Sequence, residues 1–116
     1  MMGSEASIYD KNEALQRLEG DEELFADMAK MFVDDTDAYC AALEEALKSG
    51  DAAAVRREAH TLKSLLATFS YEAGRMLAEH LEHLVAGGSL DSAPALVKEV
   101  LAATRRLSEA LANDIA

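Results

Sequence analysis

A helix with one outward histidine is encoded by the stretch Ala59-His60-Thr61-Leu62-Lys63-Ser64-Leu65-Leu66-Ala67-Thr68-Phe69-Ser70. At about 100° per residue, the apolar positions of this stretch fall on one narrow stripe, which is typical of a buried helical face. His60 points roughly 140° from the centre of the stripe, so we expect its side chain to face solvent. The stripe, extended one turn towards the N-terminus, consists of Val55, Ala59, Leu62, Leu66 and Phe69.

The neighbours of His60 on the helix surface are a cation and small side chains. Lys63 and Ser64 lie one turn farther along, and Ala67 lies a second turn on. Imidazole is a nucleophile near neutral pH, and its ring can carry a phosphoryl group whose charge a lysine can hold. By default, a lone surface histidine is an uninvolved solvated residue, and its neighbours have equally ordinary interpretations. The combination favours a site that a flat partner surface approaches.

The composition predicts one all-helical domain with no affinity for nucleic acid. The chain has 116 residues, half of them hydrophobic, and a single proline, so nearly all of it can be helical. Its 22 acidic and 11 basic residues give a net charge of −11, which repels phosphate backbones and anionic membrane surfaces. This charge favours a partner with positive charge on its rim, although solubility alone explains an acidic surface equally well.

Nothing in the sequence indicates secretion or membrane insertion. The single cysteine, Cys40, has no partner for an intrachain disulfide, which favours a reducing compartment. No run approaches the roughly 18 consecutive apolar residues of a membrane span, and the N-terminus lacks a signal pattern. We therefore expect a soluble cytoplasmic protein, with a disordered N-terminus over residues 1–9 and a single bundle domain over residues 10–116.

Capping and stop signals predict one short helix followed by four longer ones. Asp10 begins the first helix and Gly20 ends it, while Asp21 and Gly50 bound a long second helix. Asp51 begins the third helix, the fourth runs over about residues 71–86, and the fifth starts near residues 91–94. The short connections between helices two to five favour an antiparallel up-down four-helix bundle with a short additional N-terminal helix over one end.

Three of these helices have further predicted buried stripes. An acid, Asp35, falls on the apolar side of the second helix and would fit a bend near residues 34–36. The predicted stripes are Leu24, Phe25, Met28, Phe32, Tyr39, Leu43 and Ala46 in the second helix; Ala73, Leu77, Leu81 and Leu84 in the fourth; and Leu96, Val100, Ala103, Leu107 and Leu111 in the fifth.

The remaining chemically active residues fit no metal or catalytic pattern. His80 and His83 lie three residues apart, but only glutamates accompany them on that face, so we expect no metal site. We interpret His80 as a half-buried packing residue and His83 as solvated. The chain contains no Gly-rich phosphate loop, no nucleophile elbow and no second acid positioned near His60 in the sequence as a catalytic partner.

Four sequence features follow one another along the chain: Gly50-Asp51, Arg56-Arg57-Glu58-Ala59-His60-Thr61-Leu62-Lys63, Phe69 and the helix Leu77-Ala78-x-x-Leu81-Glu82-x-Leu84. With these features, the segment from Asp51 to Leu84 resembles the histidine-containing phosphotransfer (HPt) domain of two-component phosphorelays. Residues 24–32 also resemble the second helix of that family, so the resemblance covers most of the chain from Asp10 onward.

The resemblance implies that His60 is the phosphoacceptor, through its Nε2 atom, and that Lys63 helps to hold the phosphoryl group. It also implies that the partners are response-regulator receiver domains and a hybrid sensor histidine kinase. The receiver domains bring their own Mg²⁺, so the chain itself needs no cofactor. The family commonly has glycine where this chain has Ser64 and Ser70. Serine is still small at the first position, whereas the turn at the second loses its most permissive residue.

We therefore expect a phosphocarrier with no ATP site and no autokinase activity. Docking is expected on helices two and three, around Ser64, Ala67 and the apolar Leu65. A monomer is expected, because the bundle uses up every predicted apolar stripe. The rival interpretation is a non-phosphorylated helical-bundle interaction module that binds a signalling partner. In that case His60→Ala would leave its affinity intact. An enzyme with a hidden active site is a more distant third.

Overall fold

The computed structural model describes residues 7–115, and helices account for most of them. The elements in chain order are α1 (Lys11–Arg17), α2 (Glu22–Lys48), α3 (Ala52–Thr68), α4 (Glu72–Leu84) and α5 (Ala93–Ile115). No strand occurs in this part of the chain, so the predicted all-α fold is confirmed.

Aspartates begin the first three helices, as the sequence predicts. The side chains of Asp10, Asp21 and Asp51 each accept a hydrogen bond from the backbone N–H three residues on, at 3.0, 2.9 and 3.0 Å. The predicted stop residues Gly20 and Gly50 adopt φ of +78° and +69°, a left-handed conformation that glycine takes without strain. Local sequence signals therefore determine both ends of α1, both ends of α2 and the start of α3.

The four long helices pack in a ring. α3 contacts α2 and α4, and α5 closes the ring by packing on α2 and α4, while α1 lies against α2. The short α2–α3 and α3–α4 connections make these neighbours antiparallel, so the predicted four-helix bundle with an extra short helix is confirmed. The predicted stripes of α3 and α5 are buried throughout.

The predicted buried stripe of α4 is confirmed at Leu81 and in part at Leu77, which is half-buried, but it is wrong at both ends. Ala73 is exposed and Leu84 is 36% exposed, whereas Gly74 and Ala78 are buried. The reason is close packing: a Cβ atom at Gly74 would lie 2.8 Å from the ring of Tyr71. Gly74 and Ala78 therefore face the neighbouring helices together with Leu81, while Leu84 lies outside the buried face. His80, expected to be half-buried, is exposed for the same reason.

The second helix also departs from its predicted pattern. Leu24 is 42% exposed, although it was expected in the stripe. Asp35 is exposed and α2 runs unbroken through it, so no bend is needed. Thr36 takes the buried position instead, and its hydroxyl donates to the carbonyl oxygen of Phe32 at 2.7 Å, which satisfies the hydroxyl inside the core.

The N-terminal segment enters the core earlier than predicted. Residues 1–6 of the segment expected to be disordered lie outside the described residues, but Tyr9 is 3% exposed and stacks on Phe25. The Tyr9 hydroxyl donates a hydrogen bond to the Asp114 carboxylate, 105 residues away along the chain. The predicted boundary at residue 9 is therefore wrong at Tyr9, whose ring closes one end of the bundle.

Within residues 7–115, no helix is both long enough and apolar enough to cross a membrane.

Candidate functional site

His60 lies on the exposed face of α3, opposite the buried stripe. Its side chain is 60% exposed, in agreement with the outward orientation predicted from helical periodicity. The Nδ1 atom is 2.9 Å from Oε2 of Glu82 on α4. The imidazole is thus held at the seam between two antiparallel helices, and its Nε2 atom takes no part in this contact.

Glu82 bridges His60 and Lys63. Its Oε1 atom forms an ion pair with Lys63 Nζ at 2.8 Å, while Oε2 meets the imidazole. The Glu82 side chain is only 13% exposed, and Oε1 is shielded from solvent. The contact with Lys63 lowers the pKa of Glu82 most and the contact with His60 lowers it further, while burial opposes both. Glu82 is therefore a carboxylate at neutral pH.

The ionised state of Glu82 fixes the position of a proton on His60. A carboxylate can only accept hydrogen bonds, so Nδ1 of His60 must be the donor. In the neutral imidazole, the lone pair then resides on Nε2. This arrangement presents a nucleophilic nitrogen at the surface and holds the ring in one orientation.

Lys63 is more enclosed than a free surface cation. Its side chain is 23% exposed because it reaches towards α4 and the carboxylate of Glu82. The sequence places Lys63 next to His60, and the structure adds that a shared carboxylate links the two. An incoming anion near Nε2 would meet an ammonium group that is already positioned.

Ser64 and Ala67 are the small residues that follow His60 on the same side of α3. Ser64 is exposed, and its hydroxyl donates to the carbonyl oxygen of His60 at 3.2 Å. This backbone contact directs the hydroxyl away from the ring. Ala67 is half-buried and ends in a methyl group. Both side chains are short, and the partner access expected of them stays a prediction.

An apolar groove of about 180 Å³ lies between α2 and α3, beside the site. Leu65 is half-buried rather than freely exposed, and it forms part of this groove. Met31, which is 64% exposed, lies at its edge. The other groove residues are Met28, Phe32, Asp35, Tyr39, Thr68 and Phe69.

The turn between α3 and α4 adopts a conformation that usually belongs to glycine. Ser70 has φ of +56°, a left-handed value that strains a residue with a Cβ atom. Arg17 on α1 secures the turn, since it donates to the Ser70 hydroxyl and, at 2.8 Å, to the carbonyl oxygen of Thr68. The short helix α1 therefore stabilises the turn that determines how α4 packs on α3.

The described residues contain no cluster suited to a metal ion. No group of three or more histidine, cysteine, aspartate or glutamate side chains in residues 7–115 is arranged to hold one. His80 and His83 are both exposed on α4.

Glu82 is a residue of the site that the sequence patterns do not predict. The residue is 22 positions from His60, so only the packing of α3 on α4 brings the two together. The signal was present in the small residues Gly74 and Ala78, which mark the face of α4 that contacts its neighbours. In that register, Glu82 falls at the edge of the buried face and next to α3.

Two solved structures share this fold. Histidine-containing phosphotransfer protein B (HptB) from Pseudomonas aeruginosa PAO1 is 23% identical, with a TM-score of 0.84 and coverage of 96% of each chain. The HPT domain from a sensor hybrid histidine kinase of Shewanella is 15% identical, with a TM-score of 0.82 and coverage of 94% of each chain. No curated protein matches the sequence.

The family itself is shown by a sequence match over most of the chain. The model of the Hpt domain matches residues 27–113, which include most of α2 and all of α3 and α4. This range contains the histidine, the lysine and the bridging carboxylate. The chain therefore belongs to the Hpt domain family, whose members carry phosphoryl groups in phosphorelays, and its role is phosphotransfer.

Proposed function

We propose that His60 is the residue that carries the phosphoryl group, and that Nε2 is the atom that bonds to phosphorus. The observation that supports this most is the Glu82 contact, which holds a proton on Nδ1 and leaves the lone pair on Nε2 of an exposed side chain.

The transfer is a displacement at phosphorus. The Nε2 lone pair attacks the phosphoryl group of an aspartyl phosphate on a receiver domain, and a nitrogen–phosphorus bond forms. The bond between phosphorus and the aspartate oxygen breaks, and its electron pair stays on the aspartate. Positive charge then develops on the ring of His60, where the Glu82 carboxylate stabilises it. The reverse displacement passes the phosphoryl group to a second receiver.

Lys63 is the group that holds the transferred phosphoryl oxygens. Its ammonium lies 2.8 Å from Glu82 and on the same side of α3 as His60, so it can balance the Glu82 carboxylate and a phosphoryl group together. Mg²⁺ belongs to the receiver domain in this scheme. The chain itself needs no cofactor, no ATP site and no autokinase activity.

The partner docks over α2 and α3. Ser64 and Ala67 let its surface reach the imidazole, while Leu65 and the apolar groove supply contact area beside the site. The partners are receiver domains and a hybrid sensor histidine kinase, and the chain acts as a monomer. We propose a cytoplasmic site of action, because the one cysteine, Cys40, is free and buried.

Phosphotransfer from a phosphorylated receiver domain tests the proposal. We expect acid-labile, alkali-stable label on the wild-type chain and on a His80→Ala variant, since His80 is an exposed histidine of α4 with no contact to Glu82. We expect no label on His60→Ala. Label that persists on His60→Ala refutes His60 as the carrier. Phosphorylated receivers that bind both the wild-type chain and His60→Ala but label neither of them would instead support a non-phosphorylated interaction module.

A further inference from the structure

A cleft with two arginines continues the seam between α3 and α4 beyond His60. It has a volume of about 370 Å³ and lies between the first turns of α3 and the end of α4. Arg56 and Arg57 are exposed, Val85 is 2% exposed, and the remaining lining residues are alanines and Gly88. The cleft therefore has a small apolar floor, a cationic edge and no carboxylate among its lining residues.

Unlike three of the four other arginines of this strongly acidic protein, these two have no close carboxylate partner within residues 7–115. The net charge is −11, and Arg17, Arg75 and Arg105 each have a carboxylate oxygen within 3.1 Å. Arg57 lies 3.9 Å from the nearest Glu58 oxygen, a loose contact, and Arg56 forms no ion pair with any carboxylate of residues 7–115. The cleft edge is thus a local cationic surface on an anionic body.

The cleft lies one helical turn from the phosphotransfer site. Arg56 precedes His60 by four residues, which is about 6 Å along α3 and the same helix face. Because α3 and α4 are antiparallel and His60 meets Glu82, the turn of Arg56 lies opposite Ala86, which lines the cleft. A surface that covers His60 will therefore extend over the cleft.

We infer that the Arg56–Arg57 cleft binds an acidic segment of the receiver domain that exchanges phosphoryl groups with His60, an inference that rests on the proposed function. The guanidinium groups bind carboxylates through paired hydrogen bonds, and the small floor admits an aspartate or glutamate side chain. Elsewhere the anionic surface repels the same segment. The contact therefore fixes the orientation of the partner and adds selectivity beyond the apolar groove.

The test uses a receiver domain that labels the wild-type chain when it is phosphorylated. Calorimetry gives the Kd of the unphosphorylated form of this receiver for Arg56→Glu and for Arg106→Glu. Arg106 is the matched control, because it is exposed on α5, forms no ion pair with residues 7–115 and changes the net charge equally. We expect Arg56→Glu to weaken binding about tenfold more than the control does, and Arg57→Glu to act in the same direction. Circular dichroism verifies that each variant is folded.

The outcomes separate this inference from the proposed function. Equal Kd values for Arg56→Glu and Arg106→Glu, with label still on the wild-type chain, refute the cleft as a docking site. Recovery of binding when an acidic residue of the receiver is changed to arginine supports it and identifies the residue that enters the cleft. If no receiver labels the wild-type chain, the proposed function fails and this inference fails with it.

Discussion

Removal of the Glu82 carboxylate should slow phosphotransfer without unfolding the bundle. In Glu82→Ala, Nδ1 of His60 loses the acceptor that lies at 2.9 Å, and Lys63 loses the oxygen at 2.8 Å. The imidazole then rotates and exchanges its proton between the two nitrogens. The lone pair no longer resides on Nε2 in every molecule, and the positive charge that develops on the ring has no counter-charge.

The size of the effect follows from the contact and its exposure. A hydrogen bond to a charged group contributes about 1.5–3 kcal/mol. Because the His60 side chain is 60% exposed, we take the lower part of that range, which corresponds to a decrease of roughly 10- to 30-fold in the transfer rate. Glu82→Gln retains an acceptor oxygen but no charge, so we expect a smaller decrease, about 3-fold.

The assay is the initial rate of label transfer from a phosphorylated receiver domain at saturating receiver, so that docking does not limit the rate. Glu79→Ala is the matched control, since Glu79 lies one turn earlier on α4 and pairs with Arg75 rather than with His60. A Glu82→Ala variant that is folded and transfers label within twofold of the control would refute the role assigned to Glu82.

Three further predictions concern stability. Gly74→Ala introduces a Cβ atom 2.8 Å from the buried ring of Tyr71, and we expect a loss of about 1–2 kcal/mol in the free energy of unfolding; an unchanged or raised Tm would contradict this. Burial and the Asp114 contact raise the pKa of Tyr9 far above its usual value of 10.0, so the free energy of unfolding of the wild type should fall as pH rises above 10.0. Chemical denaturation at pH 9 and pH 11 should show a smaller fall in Tyr9→Phe. Because the pKa of Glu82 is lowered, the contribution of its carboxylate to stability is present above the usual value of 4.5 and is lost as pH falls below that value. In urea titrations, the stability of Glu82→Gln should therefore depend less on acidic pH than that of the wild type. An identical dependence would argue against the ion pair.

Much of the fold follows from local chemistry that the sequence displays directly. Aspartate caps and glycine stops depend only on neighbouring residues, so Asp21 and Gly50 mark the ends of α2 correctly. The stripe of α3 is equally clear, because its large apolar residues are the ones that become buried. The outward position of His60 follows from that stripe alone.

The rest depends on contacts between distant parts of the chain. In α4, hydrophobicity favours Leu84 as a buried residue, whereas close helix packing buries Gly74 and Ala78. A prediction based on hydrophobicity places a leucine in the core in preference to a glycine. It therefore assigns the wrong residues at both ends of the α4 stripe to the core and does not predict that Glu82 lies next to α3. The contact between Tyr9 and Asp114 joins residues near the two ends of the described chain and leaves no local pattern.

The placement of the site on one helical hairpin has a consequence for how the protein can change. His60, Lys63 and Glu82 all belong to α3 and α4, whereas most groove residues, including Met31 and Tyr39, belong to α2. If the proposed function holds, the reacting groups and much of the surface that binds the partner lie on different helices. Substitutions along the outer face of α2 can then redirect the protein to a different receiver while the intrinsic reactivity of the histidine is preserved. This makes α2 the natural place to graft new partner selectivity in an engineered relay.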